Sequence, residues 1–586
     1  LIFYSFKINN KYKNTNNIEI FKYYLLRDRI VGNSGEYKTV ILTKDPVSGY
    51  YSAGFALSSA GETVVLSYGE TIVDYIALPE LGENASFGRP NGKDYCALLE
   101  KPTPGTKNSQ ETERDSDIPV VSVAQGVYNG IDSLSVELSG KGKIYYTLDC
   151  TEPTSDSLLY TGPITLESTS VIRAICIEEG KKKSGIADFT YIINENNTLE
   201  VVTLVTTPSN LWDYNTGIYA TGPGASSEFP YEGANYHKDW ERPASVSFFP
   251  FEGDGFSQNC GIKIFGGFSR ALAKKSIACY FRAKYGKGEL DYQLFEDDEL
   301  SCFESFVLRN TGQDWNKTAM RDAMITSIAS DYLGLDVQNH RPVVLYINGE
   351  YWGVYYIREK ISEHYVAGHY GVPASDVQVC TAGGVTCADY QQVIKYAVSH
   401  NLSNPEYYDY ISSIVDIDDY MKYIVAEICI ANSDNGNIKF FKTADGKWRW
   451  IMYDVDQSFR FPTNPTVSEH LNPAGTGSSD RFPTKLINAL LKNQDFKDGF
   501  ISEIARQMNE VWTPDVVNAY VDRFDAAIGE EMKRDAQRWK HKYASYTDGL
   551  SELRNFVVLR RKSIYSQVKN YFGLSDTQMS DYGFIK

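Results

Sequence analysis

The chain has 586 residues, more than one ordinary hydrophobic core accommodates, so several domains are expected. Its 58 Lys and Arg stand against 75 Asp and Glu, and the net charge of −17 opposes attraction to phosphate backbones and anionic membranes, so no nucleic acid partner is expected. No apolar run approaches the ~20 residues of a membrane span, which argues against a transmembrane segment.

The first residues, "LIFYSFKINNKYK", carry neither a signal-peptide core nor an initiator Met, which leaves open a natural start further upstream. Residues 1–36 are Asn- and Lys-rich with little periodicity and are expected to be irregular. From Tyr37 to Asn108 short strand-like runs alternate with turns, as in "YYSAGFALSSAGETVVLSYGETIVDYIAL", and the stretch ends in "KPTPGTKN". This predicts a small β-sandwich over 37–108 and a linker over 109–116. Residues 117–195, with "KIYYTLDCTEPTSDSLLYTGPITLESTSVIRAICI", again give strands at regular intervals and predict a second sandwich.

The first sandwich, with "FALSSAGETVVLS", "GRPNG" and "TPGTKN", resembles a lamin-tail domain. The second, with "YYTLDCTEPT", "YTGPI" and "IRAICI", resembles the C-terminal domain of chitobiases and β-hexosaminidases, with Cys150 where Gly is usual. Neither shows a catalytic constellation, so both are expected to be spacers or binding modules, with a glycan or cell-envelope contact as their candidate partner. The nine cysteines form no CxxC pair, which argues against a zinc ribbon or thioredoxin-type site. Cys150 with Cys176, or Cys380 with Cys387, are candidate disulfides, with free buried thiols as the equal alternative.

From Leu199 to about Arg358 the pattern is strand-rich, and beyond it segments such as "DDYMKYIVAEICI" and "TKLINALLKNQDFKDGFISEIARQM" space apolar residues at i, i+3 and i+4. A strand-rich half followed by a helical half predicts an α+β domain over 199–575 with a cleft between the halves, then a tail over 576–586.

Within the first half, "GIKIFGGFSRALAKKSIACYF" sets Gly266 and Gly267 between two strands, followed by Arg270, Lys274 and Lys275. Glycine permits close backbone approach and cations balance charge, so this turn is a candidate cover for nucleotide phosphates, with an ordinary surface hairpin as the bland alternative. "VVLYINGEYWGVYYIREKI" adds two strands and ends at Glu359, where a nucleotide contact and a structural ion pair are equal readings. The same two readings hold for Arg321 and Asp322 in "NKTAMRDAMITSIASDYLG".

The densest chemistry lies in "NSDNGNIKFFKTADGKWRWIMYDVDQSF", residues 432–459. Asp445-Gly446 between two alternating runs predicts a hairpin with a two-residue turn. Pairing about that turn sets Asn437 opposite Asp454 and Asn435 opposite Asp456, with Asp434 just before the first strand. Three acids and an amide thus converge at the open end, a hard-oxygen set suited to Mg²⁺ or Mn²⁺. Solvated strand ends are the bland reading, and the convergence favours the metal site. An EF-hand fails, because Phe459 stands where that loop needs Gly and Pro465 where it needs Glu. The order of helix, acid-bearing loop, hairpin and second acid resembles that of protein kinases.

Together with "YEGANYHKDWERPASVSFF", "GIKIFGGFSRALAKKS", "LRNTGQDWNKTAMRD", "YINGEYWGVYYIREKI" and "LRNFVVLRRKSIYSQVKNYFGL", these motifs resemble the CotH family of spore-coat kinases. The resemblance implies a multidomain protein in which two small all-β sandwiches precede an atypical protein-kinase-like domain with a strand-rich N-lobe and a helical C-lobe. It implies ATP- and divalent-metal-dependent phosphorylation of Ser or Thr on surface or coat proteins, outside the cell or at its surface. By position, Asp434 becomes the catalytic-loop acid, Asn437 and Asp454 the metal ligands with Asp456 as a rival, and Arg270, Lys274 and Lys275 the phosphate holders, with Glu359 a nucleotide contact. No His-Arg precedes Asp434 and no DFG-type Gly follows Asp454. AMP transfer by the same fold, or a non-catalytic surface scaffold, are the alternatives. HExxH, GxSxG and P-loop motifs are absent.

Overall fold

The computed structural model describes residues 2–7, 18–21, 37–42, 51–52, 62–68, 71–79, 86–91, 93–104, 106–111, 115–296, 299–381, 387–432, 434, 436–472 and 484–585. Ile2–Lys7 and Ile18–Phe21 are strands inside the stretch expected to be irregular. They pair antiparallel with Tyr37–Leu42 and Glu62–Tyr68. Short apolar alternations such as Ile18-Glu19-Ile20 suffice for a strand once a partner edge exists.

Residues 120–193 form a module whose main sheet runs in the order Gly126–Tyr128, Ala187–Ile193, Ser170–Ile177, Lys143–Thr147, Leu158–Leu159. Two shorter strand pairs complete it, and Val136, Ile172, Cys176 and Tyr191 fill its core. Cys150 and Cys176 are free buried thiols, while Cys380 and Cys387 form a disulfide.

A closed barrel follows, built from β1 (Val201–Val205), β2 (Arg242–Phe249), β3 (Phe256–Phe265), β4 (Ser276–Tyr280), β5 (Ser305–Arg309), β6 (His340–Ile347) and β7 (Glu350–Glu359). Its order is β1-β2-β3-β4-β5-β7-β6, and β6 closes on β1 in parallel. Side chains alternate across each strand. Val202, Leu204, Val246, Ile262, Ile264, Leu345 and Ile357 share one core, whereas Val201, Val344, Tyr346, Val354 and Tyr356 belong to the core shared with the helices. One set of strands therefore serves two cores, each buried aliphatic side chain contributing about 2 kcal/mol.

The helices that matter for the site are α1 (Arg321–Leu333), α2 (Ile417–Cys429), α3 (Glu531–Trp539) and α4 (Ala544–Phe572). Between α2 and α3 lies the hairpin of β8 (Lys439–Thr443) and β9 (Arg449–Met452), inside a small sheet with Val377–Thr381 and Asp336–Val337 at its edges. Among the described residues no helix is long and apolar enough to cross a membrane.

The module sits directly on the barrel. Asp188 pairs with Arg173 at 2.8 Å and accepts the Ser245 hydroxyl of β2 at 2.9 Å. The same guanidinium donates to Thr207 Oγ1, just beyond β1, at 3.1 Å. Cys150, Val171 and Val205 close an apolar patch beside it, and Arg534 of α3 reaches Glu195 at 2.8 Å.

Candidate active site

The acid-bearing hairpin differs in register from the expected one. Lys439 stands opposite Ile451, Phe440 opposite Trp450 and Phe441 opposite Arg449, one residue away from the pairing that a two-residue turn dictates. The cause is Trp448. Its N–H donates to Ile414 and its carbonyl accepts from Asp416, at 2.9 and 3.0 Å, and this bridge beside α2 draws the strand off the tip. Gly446 N–H closes a turn on the Thr443 carbonyl instead.

The acids nevertheless meet. The chain leaves β9 after Met452, and Asp454 adopts a left-handed backbone with φ 58°. Asn437 Nδ2 then donates to Asp454 Oδ2 at 2.9 Å and to Asp434 Oδ2 at 3.2 Å. Asn435 lies outside the described residues.

Asp434 is aimed from behind. Asn432, beyond the end of α2, accepts the Asp434 N–H at 3.0 Å and donates to Glu427 at 2.7 Å. Burial pushes the Glu427 carboxyl up to about 7, against the pull of Asn432 and Tyr423. Arg560 of α4 holds the C-terminal carbonyls Ile428 and Cys429, so the long final helix fixes the end from which the acid loop departs.

The barrel contributes the opposing wall. Arg309, at the end of β5, bonds Asp454 Oδ1, and its guanidinium also lies 3.5 Å from Asp322 of α1 and 3.9 Å from Asp456. Arg358 of β7 pairs with Asp322 at 2.7 Å. Asp456 is held by backbone: Gln313 N–H donates to it at 2.6 Å, and burial, then the Asp454 charge, push its carboxyl up to about 8. Gly312, at φ 63°, makes room, since a Cβ there would stand 1.8 Å from Asp456 Oδ2.

The glycine turn and the acids share one cleft of about 400 Å³. Gly266, Gly267 and Arg270 line one side, Arg309 and Arg358 the back, and Asp434, Asn437, Asp454 and Asp456 the floor, with Phe265, Val307, Ile361 and Tyr453 as apolar walls. The volume falls in the range of small-ligand pockets. Arg270 also braces the turn through the Gly266 and His237 carbonyls.

Lys274, Lys275 and Glu359 do not line this cleft. Lys274 is fully buried in an ion pair with Asp535 of α3. Lys275 donates to the Arg270 and Leu272 carbonyls at 2.6 and 2.7 Å, and burial pulls it down to about 8. Glu359 accepts the Asn339 N–H and meets His369 Nε2, both at 2.8 Å. Of the predicted cations Arg270 does line the cleft, whereas the other cations of the lining, Arg309, Arg358 and Lys439, escape sequence reasoning. Arg309 and Arg358 each end a run of apolar strand residues, which is the only local sign of their position.

Among the described residues no three His, Cys, Asp or Glu side chains stand as a ready metal-binding group. Two carboxylate oxygens do converge on the Asn437 amide. The two ends of an amide interchange by a flip that presents oxygen instead of nitrogen to the acids. Two carboxylates and an amide oxygen make a hard donor set that fits Mg²⁺ or Mn²⁺.

A family model described as CotH kinase protein matches residues 262–564, just over half the chain. A second, described as chitobiase/beta-hexosaminidase C-terminal domain, matches residues 123–188. No curated protein matches the chain.

Proposed function

The chain belongs to the CotH kinase protein family, and from that membership we propose that it transfers the γ-phosphoryl group of ATP to Ser or Thr hydroxyls of surface or coat proteins outside the cell. The barrel takes the part of a kinase N-lobe and the helical half that of a C-lobe. One observation carries the reading: the glycine turn, the two arginines and the acid-bearing hairpin all face a single cleft.

Each group has a task. Backbone at Gly266 and Gly267 closes over the phosphates, and Arg309 and Arg358 set positive charge behind them. Asn437 and Asp454 would hold a divalent cation, which would neutralise phosphate charge. Asp434 orients the acceptor hydroxyl and takes its proton as the hydroxyl oxygen bonds to the γ-phosphorus. The bond from that phosphorus to the β,γ-bridging oxygen breaks, and ADP leaves. Asp456 accepts the Gln313 N–H and shapes the Gly312-Gln313 turn.

The test incubates the protein with surface-protein extracts and Mn²⁺ or Mg²⁺, in parallel with α-labelled and γ-labelled ATP. Label arriving from the γ position alone is expected. Asp454→Ala should lower it at least a hundredfold, and Asp456→Asn, which keeps an oxygen to accept the Gln313 N–H, less than tenfold. Label from the α position would establish AMP transfer instead, and absence of both label and ATP binding would leave a scaffold.

A further inference from the structure

Lys274 and Lys275 are neighbours just before β4, and the alternation of an extended chain sends them to opposite sides. Lys274 meets Asp535 of α3, whereas Lys275 turns back onto the segment that follows the two glycines. That segment, Phe268–Ala271, is a single 3₁₀ turn between Gly267 and Leu272. The carbonyls at the end of such a turn find no partner within it and need an outside donor. The Lys275 ammonium supplies one, donating to the Arg270 and Leu272 carbonyls at 2.6 and 2.7 Å.

The ammonium is buried, and aromatic rings surround it in place of an acid. It lies 4.0 Å from the Tyr236 ring and 5.2 Å from that of Tyr219, and among the described residues no carboxylate pairs with it. Its backbone is fixed as well. Tyr219 Oη accepts the Lys275 N–H at 3.0 Å and donates to the Ala273 carbonyl at 2.9 Å, while Tyr355 of β7 donates to the Lys275 carbonyl at 2.9 Å. Within the turn, Arg270 reaches the Gly266 and His237 carbonyls and the Phe268 ring meets Phe229 at 4.8 Å. Two cations therefore shape the turn, and of the two Arg270 lines the cleft and Lys275 does not.

We propose that Lys275 is the positioning residue of the glycine turn, holding it from behind in the form that closes over a polyphosphate without touching the ligand. The proposal rests on the kinase reading for the identity of that ligand. It makes the grip on phosphate depend on a proton held outside the cleft. Burial pulls Lys275 down to about 8 and holds the phenols of Tyr219, Tyr236 and Tyr355 above their usual range. Arg270 keeps its charge, Asp239 is held ionised by Lys263, Lys274 faces Asp535 on the other side, and the His237 ring is turned to the Pro230 carbonyl. Among the groups around it, Lys275 is thus the one that loses a proton as pH rises through 8. The neutral amine still has two N–H groups, but it loses the charge that strengthens both hydrogen bonds and draws it to the Tyr236 ring. The brace is complete below pH 8 and weakens above it.

Lys275→Met, close in shape and uncharged, tests this on the full chain. Without nucleotide, amide hydrogen exchange at residues 268–272 should be at least tenfold faster than in the parent protein. The dissociation constant for ATP with Mn²⁺ should rise at least tenfold, whereas that for adenosine, which has no phosphate to cover, should stay within twofold. The parent protein gives a reading that needs no variant to fold: its ATP affinity should fall at least threefold from pH 7 to 9.5 while its adenosine affinity holds. Lys275→Arg, which stays charged, should flatten that profile. Loss of ATP with exchange unchanged would overturn the proposal and place the lysine on the phosphates. Equal loss of ATP and adenosine overturns it by making the lysine a support of the whole cleft, and a flat profile in the parent overturns it as well. A parent that binds no nucleotide, with exchange still faster in the Met variant, keeps the brace and loses the kinase reading. One that binds ATP equally well with Lys or Met keeps the kinase reading and loses the brace.

Discussion

Burial of Glu427 favours the acid form of its carboxyl, and that makes it a source of pH-dependent stability. Burial raises it to about 7, above the usual carboxylate range. Between about pH 4.5 and 7 the folded chain holds a proton that the unfolded chain has released, so stability is complete below the unfolded value and declines as pH rises through 7. Glu427→Gln keeps an acceptor for the Asn432 amide without the charge. Urea denaturation of the variant should show the decline between pH 5 and 8 flattened, with a gain of up to about 3 kcal/mol at pH 8. A curve parallel to that of the parent protein would mean that Glu427 is ionised in the folded state, and that Asp434 rests on a charged neighbour.

At the scale of elements, the Lys274–Asp535 pair locks α3 to the barrel. Both side chains are fully buried. Asp535 also accepts the Val354 N–H of β7 at 2.8 Å and meets His541 at 3.2 Å. Gly353 lets it approach, since a Cβ there would stand 2.3 Å from Asp535 Oδ2. Lys274→Met strands a buried carboxylate and should cost about 3–5 kcal/mol in chemical denaturation. ATP affinity of the folded fraction should stay within about twofold, whereas a loss beyond tenfold would return Lys274 to the phosphates. The sequence places this lysine beside a glycine turn, and nothing local reveals a partner 261 residues away. Legibility follows the same line elsewhere. The helical half, the strand-rich half and the hairpin about "ADGK" are visible because periodicity and turn chemistry are local. The register is not, because Trp448 answers to Ile414 and Asp416 outside the hairpin. Asp434, Asn437 and Asp454 share a short stretch of chain and are legible together, while Arg309 and Arg358 come to the cleft only through barrel closure.

At the scale of the whole molecule, the module on the barrel decides whether the chain moves as one body. Contacts between domains within a chain are often loose enough to permit relative motion. Here the seam contains a charge that water barely reaches: Arg173 and Asp188 are each 7 % exposed at the side chain. Their hydrogen bonds continue to Thr207 and Ser245 on the barrel side, so separating the two parts strips an ion pair of the partners that satisfy it. The Cys150, Val171 and Val205 contact adds apolar burial at the same place. Calorimetry should therefore show the module and the barrel unfolding in one transition. Arg173→Met leaves Asp188 without its cation, and the module should then melt in a separate, earlier transition while the main one moves by only a few degrees. Two well-separated transitions in the unaltered protein would show that the seam is weak and the module swings.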